Sequence, residues 1–198
     1  PMIANLFLVM LKICFIYTQY WIFMNLKDYI RSIQDYPKKG ILFRDITTLI
    51  KNEEAFAETI NQIVDRSKKF NFNKIAAIES RGFVFASAVS YLLKKPFIML
   101  RKKNKLPAEV HSVDFELEYG TATIEVHKDS IEEKDAVLII DDLIATGGTA
   151  EAAAKLVEMS KGKVSAFIFV INLFDLNGCK TLEDKGYKVE NLVEFPGH

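Results

Sequence analysis

The apolar and polar residues of this chain are arranged in repeated strand–loop–helix units. In residues 136–149, AVLIIDDLIATGGT, the four consecutive apolar residues Val137–Ile140 predict a strand that is buried on both faces. Two aspartates and a short Thr/Gly loop follow, and residues 151–162 then have helical composition. A second unit of the same order begins with the apolar run 74–78. The pattern predicts an α/β fold around a mainly parallel sheet.

Other segments predict further elements. Residues 108–127 contain two strand-like runs separated by a glycine, which indicates a hairpin-like flap. Residues 164–171 predict another buried strand, and residues 191–195 predict a last strand at the edge of the sheet. Asn25 is expected to cap a helix with an apolar face made of Leu26, Tyr29, Ile30 and Ile33.

Composition narrows the class of protein. A chain of 198 residues fits one α/β domain, and 49% apolar content supports a sizeable core. The formal net charge is zero, so nothing favours nucleic acid as a partner. Cys14 and Cys179 lack the spacing of a metal site or a disulfide framework, which favours a reducing cytoplasm.

The loop after the first strand has the composition of an anion site. Glycines let backbone N–H groups approach an anion closely, and the following helix N-terminus adds partial positive charge. Threonine hydroxyls can donate to the same anion. The loop has no lysine and lacks the GxxxxGK[ST] spacing of triphosphate sites, so it favours a single phosphomonoester. Its residues are Thr146, Gly147, Gly148 and Thr149.

The acidic pair Asp141 and Asp142 precedes this loop. Carboxylates repel phosphate but accept hydrogen bonds from hydroxyl groups, so the pair is placed to hold a ribose diol while the loop holds the 5′-phosphate. The alternative is a tight strand-to-helix turn with a solvated acidic pair. The two features together favour phosphoribose binding.

The segment VLIIDDLIATGGT resembles the motif that binds 5-phosphoribosyl 1-pyrophosphate (PRPP) in type I phosphoribosyltransferases. The similarity extends over residues 24–195. It implies a mainly parallel central sheet flanked by helices, with a small N-terminal hood and a flexible flap. FRDI at 43–46 and LEYG at 117–120 resemble the members that transfer phosphoribose to adenine in purine salvage. A transferase for a 6-oxopurine or orotate, and a PRPP-sensing regulator without activity, stay open as alternatives.

The resemblance assigns roles to individual residues. The phosphoribosyl group of PRPP or AMP would bind Asp141 and Asp142 together with Ala145, Thr146, Gly147, Gly148 and Thr149. Adenine would be read by the backbone of Leu42 and Arg44, and it would lie between the side chains of Phe43 and Leu143.

The pyrophosphate side of the site is also implied by the resemblance. Arg81, Lys102 and Lys105 would bind pyrophosphate, whereas a basic run such as 101–105 is otherwise a solvated face. Arg101 would reach the site of a neighbouring subunit. The resemblance further implies a cis peptide bond between Glu79 and Ser80. Asn172 and Phe174 depart from the glutamate and proline that are usual in the family, which puts the local geometry there in doubt.

Catalysis would depend on the acidic pair and the flap. Asp141 and Asp142 would stabilise the developing ribosyl cation, and Glu118 in the flap would handle the purine proton unless it is only a solvated carboxylate. The family implies Mg²⁺ bound mainly through PRPP and pyrophosphate, with no metal site made by the protein alone. It also implies a cytoplasmic homodimer with adenine and PRPP as its small-molecule partners, without nucleic acid or membrane.

Residues 2–23 are almost wholly apolar, with one charge at Lys12. Three interpretations are open: upstream sequence translated through a misassigned start, a membrane anchor, or a genuine extra helix. We favour the misassigned start, because residues 24–47 resemble the beginning of bacterial family members. We therefore divide the chain into an extension, 1–23, and a phosphoribosyltransferase domain, 24–198.

Overall fold

The computed structural model describes residues 24–117 and 120–197. The interpretations of residues 1–23 and the role expected for Glu118 lie outside these residues and stay predictions. The strands of the described chain are β1 (Arg31–Gln34), β2 (Leu42–Asp45), β3 (Lys74–Ile78), β4 (Phe97–Lys102), β5 (Val110–Leu117), β6 (Gly120–His127), β7 (Ala136–Ile144), β8 (Lys163–Leu173) and β9 (Val189–Phe195). The α-helices are α1 (Thr47–Ile50), α2 (Glu53–Ser67), α3 (Arg81–Leu93), α4 (Gly148–Met159) and α5 (Gly178–Asp184).

Seven strands form the central sheet in the order β5-β6-β4-β3-β7-β8-β9. The five strands β4, β3, β7, β8 and β9 run parallel, and the hairpin β5–β6 joins them in antiparallel pairing through β4. The mainly parallel α/β sheet, the flap hairpin and the edge position of β9 are confirmed. The carboxyl ends of β3 and β7, which are neighbours, meet at one edge of the sheet.

Apolar clusters cover both faces of the sheet. Within β7, Leu138 and Ile140 pack in the cluster that includes helices α2 and α3, while Val137 and Ile139 pack in the cluster that includes α4. Successive side chains of a strand point to opposite faces, so a run of four apolar residues fills both layers. Among the helices of the described residues, none is long and apolar enough to cross a membrane.

The hood is the antiparallel pair β1–β2, in which Ile33 lies opposite Phe43. The prediction of a helix after Asn25 is wrong. Asn25 does cap a turn, but it is a 3₁₀ turn over Leu26–Tyr29, and the chain then extends into β1. A short isolated helix is marginal in water, whereas the extended chain gains a ladder of hydrogen bonds with β2.

Candidate active site

A cavity of about 560 Å³ lies between the hood and the carboxyl ends of β3 and β7. Such crevices at the ends of parallel strands are where open α/β sheets bind ligands. Most of the predicted site residues line it: Leu42, Phe43, Arg44, Arg81, Asp141, Asp142, Leu143, Ala145, Thr146, Gly147, Gly148 and Thr149. The structure therefore gathers residues that are about a hundred positions apart in the sequence.

The acidic pair lies inside β7, whereas the sequence predicted a strand that ends before it. Pairing with β8 continues past the apolar run, with Asp141 opposite Phe169 and Ile144 opposite Asn172. Because β8 extends to Leu173, it provides backbone hydrogen-bond partners for the part of β7 that follows Ile140. The strand therefore continues through the acidic pair. The pair is thus fixed by a rigid strand and not by a loop.

The two carboxylates have different environments. Asp142 is buried, with 7% of its side chain exposed, and its Oδ2 lies 2.9 Å from Nε of Arg81 in an ion pair. The ion pair lacks hydrogen-bond geometry, so this oxygen accepts no hydrogen bond from the rest of the described structure. Oδ1 of Asp141 accepts the backbone N–H of Asp142 at 2.9 Å. A buried acceptor without a donor is costly and is suited to a ligand hydroxyl.

Burial raises the pKa of both carboxyl groups. For Asp141 the pKa lies well above its usual value because of burial and the nearby charge of Asp142. For Asp142 burial also raises the pKa, and the Arg81 guanidinium opposes this. Holding both groups ionised at neutral pH therefore costs folding free energy. Such a cost is typical of functional sites.

The first prediction follows from this cost. A raised folded-state pKa means that ionisation of Asp141 destabilises the fold as pH rises above the usual aspartate value. Asp141→Asn keeps the oxygen that accepts the Asp142 N–H but removes the charge. We expect a higher Tm than wild type at about pH 8 and a shrinking difference as pH approaches about 3.9, the usual aspartate pKa. Thermal unfolding of both proteins across this pH range measures the difference in Tm. An equal or lower Tm for Asp141→Asn at about pH 8 would contradict the raised pKa of Asp141.

The loop predicted to bind phosphate, called the phosphate loop below, is the short connection between β7 and α4. Gly147 has φ +94°, a conformation that side-chain-bearing residues rarely adopt, and α4 begins at the next residue. A Cβ at Gly148 would lie 3.2 Å from the carbonyl oxygen of Glu116 in β5, so the flap backbone approaches the loop closely. The predicted order of strand, loop and helix is confirmed, with the helix N-terminus facing the cavity side.

The opposite wall of the cavity is strand β2 of the hood. Because β2 pairs only with β1 in its two-stranded sheet, its other edge carries backbone groups without a strand partner among the described residues. The Phe43 ring packs edge-on against Tyr36 at 5.1 Å, and the Arg81 guanidinium lies 5.8 Å from its centroid. The Arg44 side chain binds elsewhere, donating to the Pro196 carbonyl oxygen at 2.9 Å.

The basic run lies beside the cavity and does not line it. Nε and Nη2 of Arg101 each donate to the Glu79 carboxylate at 3.2 Å, and the backbone N–H of Lys102 donates to the same group at 3.1 Å. The hydrogen bond from Arg101 lowers the pKa of Glu79. The Lys102 and Lys105 side chains are exposed. Glu79 thus organises this edge, and the cis peptide bond predicted after it, to Ser80, is confirmed.

Sequence reasoning missed three residues at this site. The sequence places Glu79 in a turn after a strand, and no local pattern indicates that its carboxylate binds Arg101. Gly82 has no sequence signal either, yet a Cβ there would lie 2.6 Å from Oδ1 of Asp141. Gly178 lies 31 positions after Gly147 and contacts the phosphate loop directly. Close packing of glycines against a distant strand or loop is visible only in three dimensions.

The acidic pair, the Thr/Gly loop and the hood meet at one edge of the parallel sheet, as the resemblance to phosphoribosyltransferases implies. Residues 45–195 match the phosphoribosyl transferase domain family. The chain is 81% identical over 175 residues to adenine phosphoribosyltransferase of Pelagibacter ubique, covering 88% of this chain and 100% of the relative. The chain therefore belongs to the phosphoribosyltransferase family, and within it to the adenine phosphoribosyltransferases.

Solved structures agree with this placement. The structure of adenine phosphoribosyltransferase from Thermoanaerobacter pseudethanolicus has a TM-score of 0.82 and 46% identity, over 86% of this chain and 98% of that chain. The enzyme from Saccharomyces cerevisiae, solved with an imino-altritol bisphosphate and adenine, has a TM-score of 0.78 and 32% identity. The match covers 85% of this chain and 96% of that chain. The fold expected for the family is confirmed.

Proposed function

We propose that this chain transfers the 5-phosphoribosyl group of PRPP to adenine and releases AMP and pyrophosphate, a step of purine salvage. The observation that carries the proposal is the cavity in which the buried acidic pair, the Thr-Gly-Gly-Thr loop and the open edge of β2 meet. Each part recognises a different portion of one nucleotide. The relatives named adenine phosphoribosyltransferase support adenine as the base.

The phosphoribosyl half of the substrate is assigned to β7, the loop and α4. The 5′-phosphate would accept hydrogen bonds from the backbone N–H groups of residues 145–149 and from the Thr146 and Thr149 hydroxyls. The ribose hydroxyls would donate to Asp141 and to Oδ2 of Asp142, which accepts no hydrogen bond within the described structure. A ligand that supplies these donors offsets the desolvation of the carboxylates.

The reaction breaks the bond between ribose C1 and the pyrophosphate oxygen, and pyrophosphate leaves with the electron pair. Positive charge develops at C1 and the ring oxygen, and the fixed carboxylates beside the sugar stabilise it. Adenine N9 attacks C1, and the proton on N9 is lost. On the resemblance, Glu118 of the flap accepts that proton, and closure of the flap excludes water that would otherwise hydrolyse the ribosyl cation.

Pyrophosphate is assigned to the side of the cavity that carries the cations. The Arg81 side chain is 42% exposed, so it can turn from Asp142 to the leaving group. Lys102 and Lys105 are exposed at the neighbouring strand end and add positive charge. A guanidinium fork suits phosphate oxygens, and lysines act as point charges.

The base is assigned to the space between β2 and β7. Phe43 offers an aromatic face and Leu143 an apolar side chain, both in the cavity wall. The backbone of Leu42 and Arg44, two positions apart, directs its polar groups to the same edge of the strand. A donor and an acceptor side by side match the N1 and 6-amino groups of adenine.

The chemistry of the site fits a Mg²⁺ ion that is carried by the substrate. Among the described residues, no three His, Cys, Asp or Glu side chains group as a metal site. Mg²⁺ prefers six oxygen ligands and commonly combines a few carboxylates with substrate phosphates and water. The ion would supply charge neutralisation at pyrophosphate, with Asp141 and Asp142 as the nearby carboxylates.

The same proposal includes a homodimer, as the resemblance implies. Exposed apolar side chains lie on α3 and β4, where Tyr91 is 83% exposed and Val84, seven positions earlier, shares its helix face. We expect light scattering to give twice the chain mass of 22.6 kDa, and Tyr91→Glu to shift the protein toward the monomer. Arg101 would then contribute to the partner's site. A wild-type mass of one chain would contradict this prediction.

A cytoplasmic location belongs to the proposal as well. The substrates are intracellular metabolites in the family, and the cysteines show no disulfide pattern. Burial raises the pKa of the Cys179 thiol to about 11, which leaves it protonated and unreactive at neutral pH.

The test is product formation by the purified protein. With adenine, PRPP and Mg²⁺, AMP and pyrophosphate are expected in equal amounts, and a chelator added before PRPP should stop the reaction. Pyrophosphate release without AMP would indicate hydrolysis, and no product with any purine would favour a PRPP-sensing regulator.

A further inference from the structure

The backbone at Gly178 lies against the phosphate loop. A Cβ at this position would overlap the carbonyl oxygen of Ala145, and it would lie 2.7 Å from Cγ1 of Ile144 and 2.9 Å from the backbone nitrogen of Gly147. Real Cβ atoms essentially never approach neighbours this closely, and two of the three are main-chain atoms that cannot rotate away. Only glycine therefore fits between α5 and the loop.

The contact is close from both sides. A Cβ at Gly147 would lie 3.2 Å from the carbonyl oxygen of Gly178. The turn that presents Gly178 is itself fixed: Asn177 has φ +60°, and its side-chain amide donates to the Asp175 carbonyl oxygen at 3.3 Å. Two short backbone segments, 145–147 and 177–178, thus pack directly against each other.

We propose that Gly178 is a positioning residue that sets the phosphate loop in the geometry needed for the 5′-phosphate of PRPP, an inference that rests on the proposed function. Gly178 does not line the cavity, so it acts through the loop and not on the substrate. Segment 177–178 is a fixed support behind the loop. The loop N–H groups converge on a single phosphate as long as segment 177–178 keeps its position.

A methyl group at this position has a defined consequence. To relieve the overlap, the Ala145 carbonyl and the loop must move by about 1 Å, a displacement that can cost on the order of 10²-fold when it misplaces binding groups. The three atoms nearest to that Cβ belong to Ile144, Ala145 and Gly147, and none of them belongs to β2 or Leu143, which form the base side of the cavity. The substitution should weaken phosphate binding and leave adenine binding unchanged.

The test compares Gly178→Ala with Gly186→Ala in the full chain. Gly186 follows the other end of α5 and has φ +86°, and a Cβ added there would have no neighbour within 4 Å, so its substitution strains the backbone without touching the loop. For Gly178→Ala we expect KM for PRPP to rise at least about tenfold, with KM for adenine within about twofold of wild type. Gly186→Ala should leave both KM values unchanged.

Binding of ribose 5-phosphate, measured by calorimetry, gives a readout without catalysis. Gly178→Ala should lose at least about tenfold in affinity, and equal affinity in both glycine variants would overturn the inference. If Gly178→Ala does not fold, Asn177→Gly keeps the positive φ but loses the side-chain hydrogen bond, and it should raise KM for PRPP a few-fold. Unchanged KM values in Asn177→Gly would then overturn it. Wild type that binds ribose 5-phosphate but forms no AMP would refute the proposed function and not this inference.

Discussion

Adenine is expected to be converted on the order of 10⁴-fold more efficiently than hypoxanthine, as the ratio of the two kcat/KM values. In the proposed function the base lies against backbone groups of Leu42 and Arg44, in a strand whose outer edge has no strand partner among the described residues. Adenine donates from its 6-amino group and accepts at N1. Hypoxanthine accepts at O6 and donates at N1, so both pairings are reversed and two buried polar groups stay unsatisfied.

The comparison has an internal control. In the proposed function PRPP binds the loop and the acidic pair and not β2, so the KM for PRPP should be the same with adenine and with hypoxanthine. Guanine should resemble hypoxanthine, since it also carries a 6-oxo group. Comparable kcat/KM values for adenine and hypoxanthine would show that the backbone of β2 does not read the 6-position, and the assignment to adenine would fail.

Asp142→Asn is expected to lower kcat on the order of 10²-fold, as for the loss of one electrostatic stabiliser of the transition state. The substitution keeps the size and shape of the side chain but removes the charge beside the ribosyl cation. It also ends the ion pair with Arg81, whose half-exposed guanidinium stays solvated. Because burial raises the pKa of Asp142, the variant should not be less stable than wild type at neutral pH.

Asp184→Asn is the matched control, because Asp184 is exposed on α5 and does not line the cavity. It should leave kcat unchanged. Steady-state kinetics normalised to folded protein, together with thermal unfolding, separate the two possible roles of Asp142. If Asp142→Asn lowers the Tm while kcat per folded molecule holds, the acidic pair is structural and the proposed mechanism is wrong.

Local patterns were sufficient to predict the apolar first part of β7, the loop and α4. The run Val137–Ile140 needs two apolar layers, and Gly147 with its positive φ needs glycine, so both features are written in adjacent residues. The hood could not be predicted in this way. Whether residues 31–34 become helix or strand depends on pairing with β2, which begins eight positions after β1 ends.

The contacts that organise the site are long-range and were not predictable from one sequence. The pair Arg81–Asp142 joins α3 to β7, and the pair Glu79–Arg101 joins the turn after β3 to β4. Gly178 likewise reaches the loop from α5. Single residues of these types occur on any protein surface, and only the fold shows which of them meet.

The two departures from the family pattern prove to be local. Asn172 lies within β8, opposite Ile144 and Glu194, and its Nδ2 donates to the Glu194 carboxylate at 3.4 Å. Phe174 follows the strand and is 52% exposed. Neither residue lines the cavity, so the strand that supports β7 is retained despite both changes.

A crystal structure of the protein with AMP bound tests the central claim most directly. The phosphate oxygens should lie about 2.7–3.2 Å from the N–H groups and hydroxyls of residues 145–149. The ribose hydroxyls should donate to Asp141 and Asp142, and adenine should lie between Phe43 and Leu143. A phosphate bound at Arg81 or the lysine run, or a base outside the space between β2 and β7, would contradict the account.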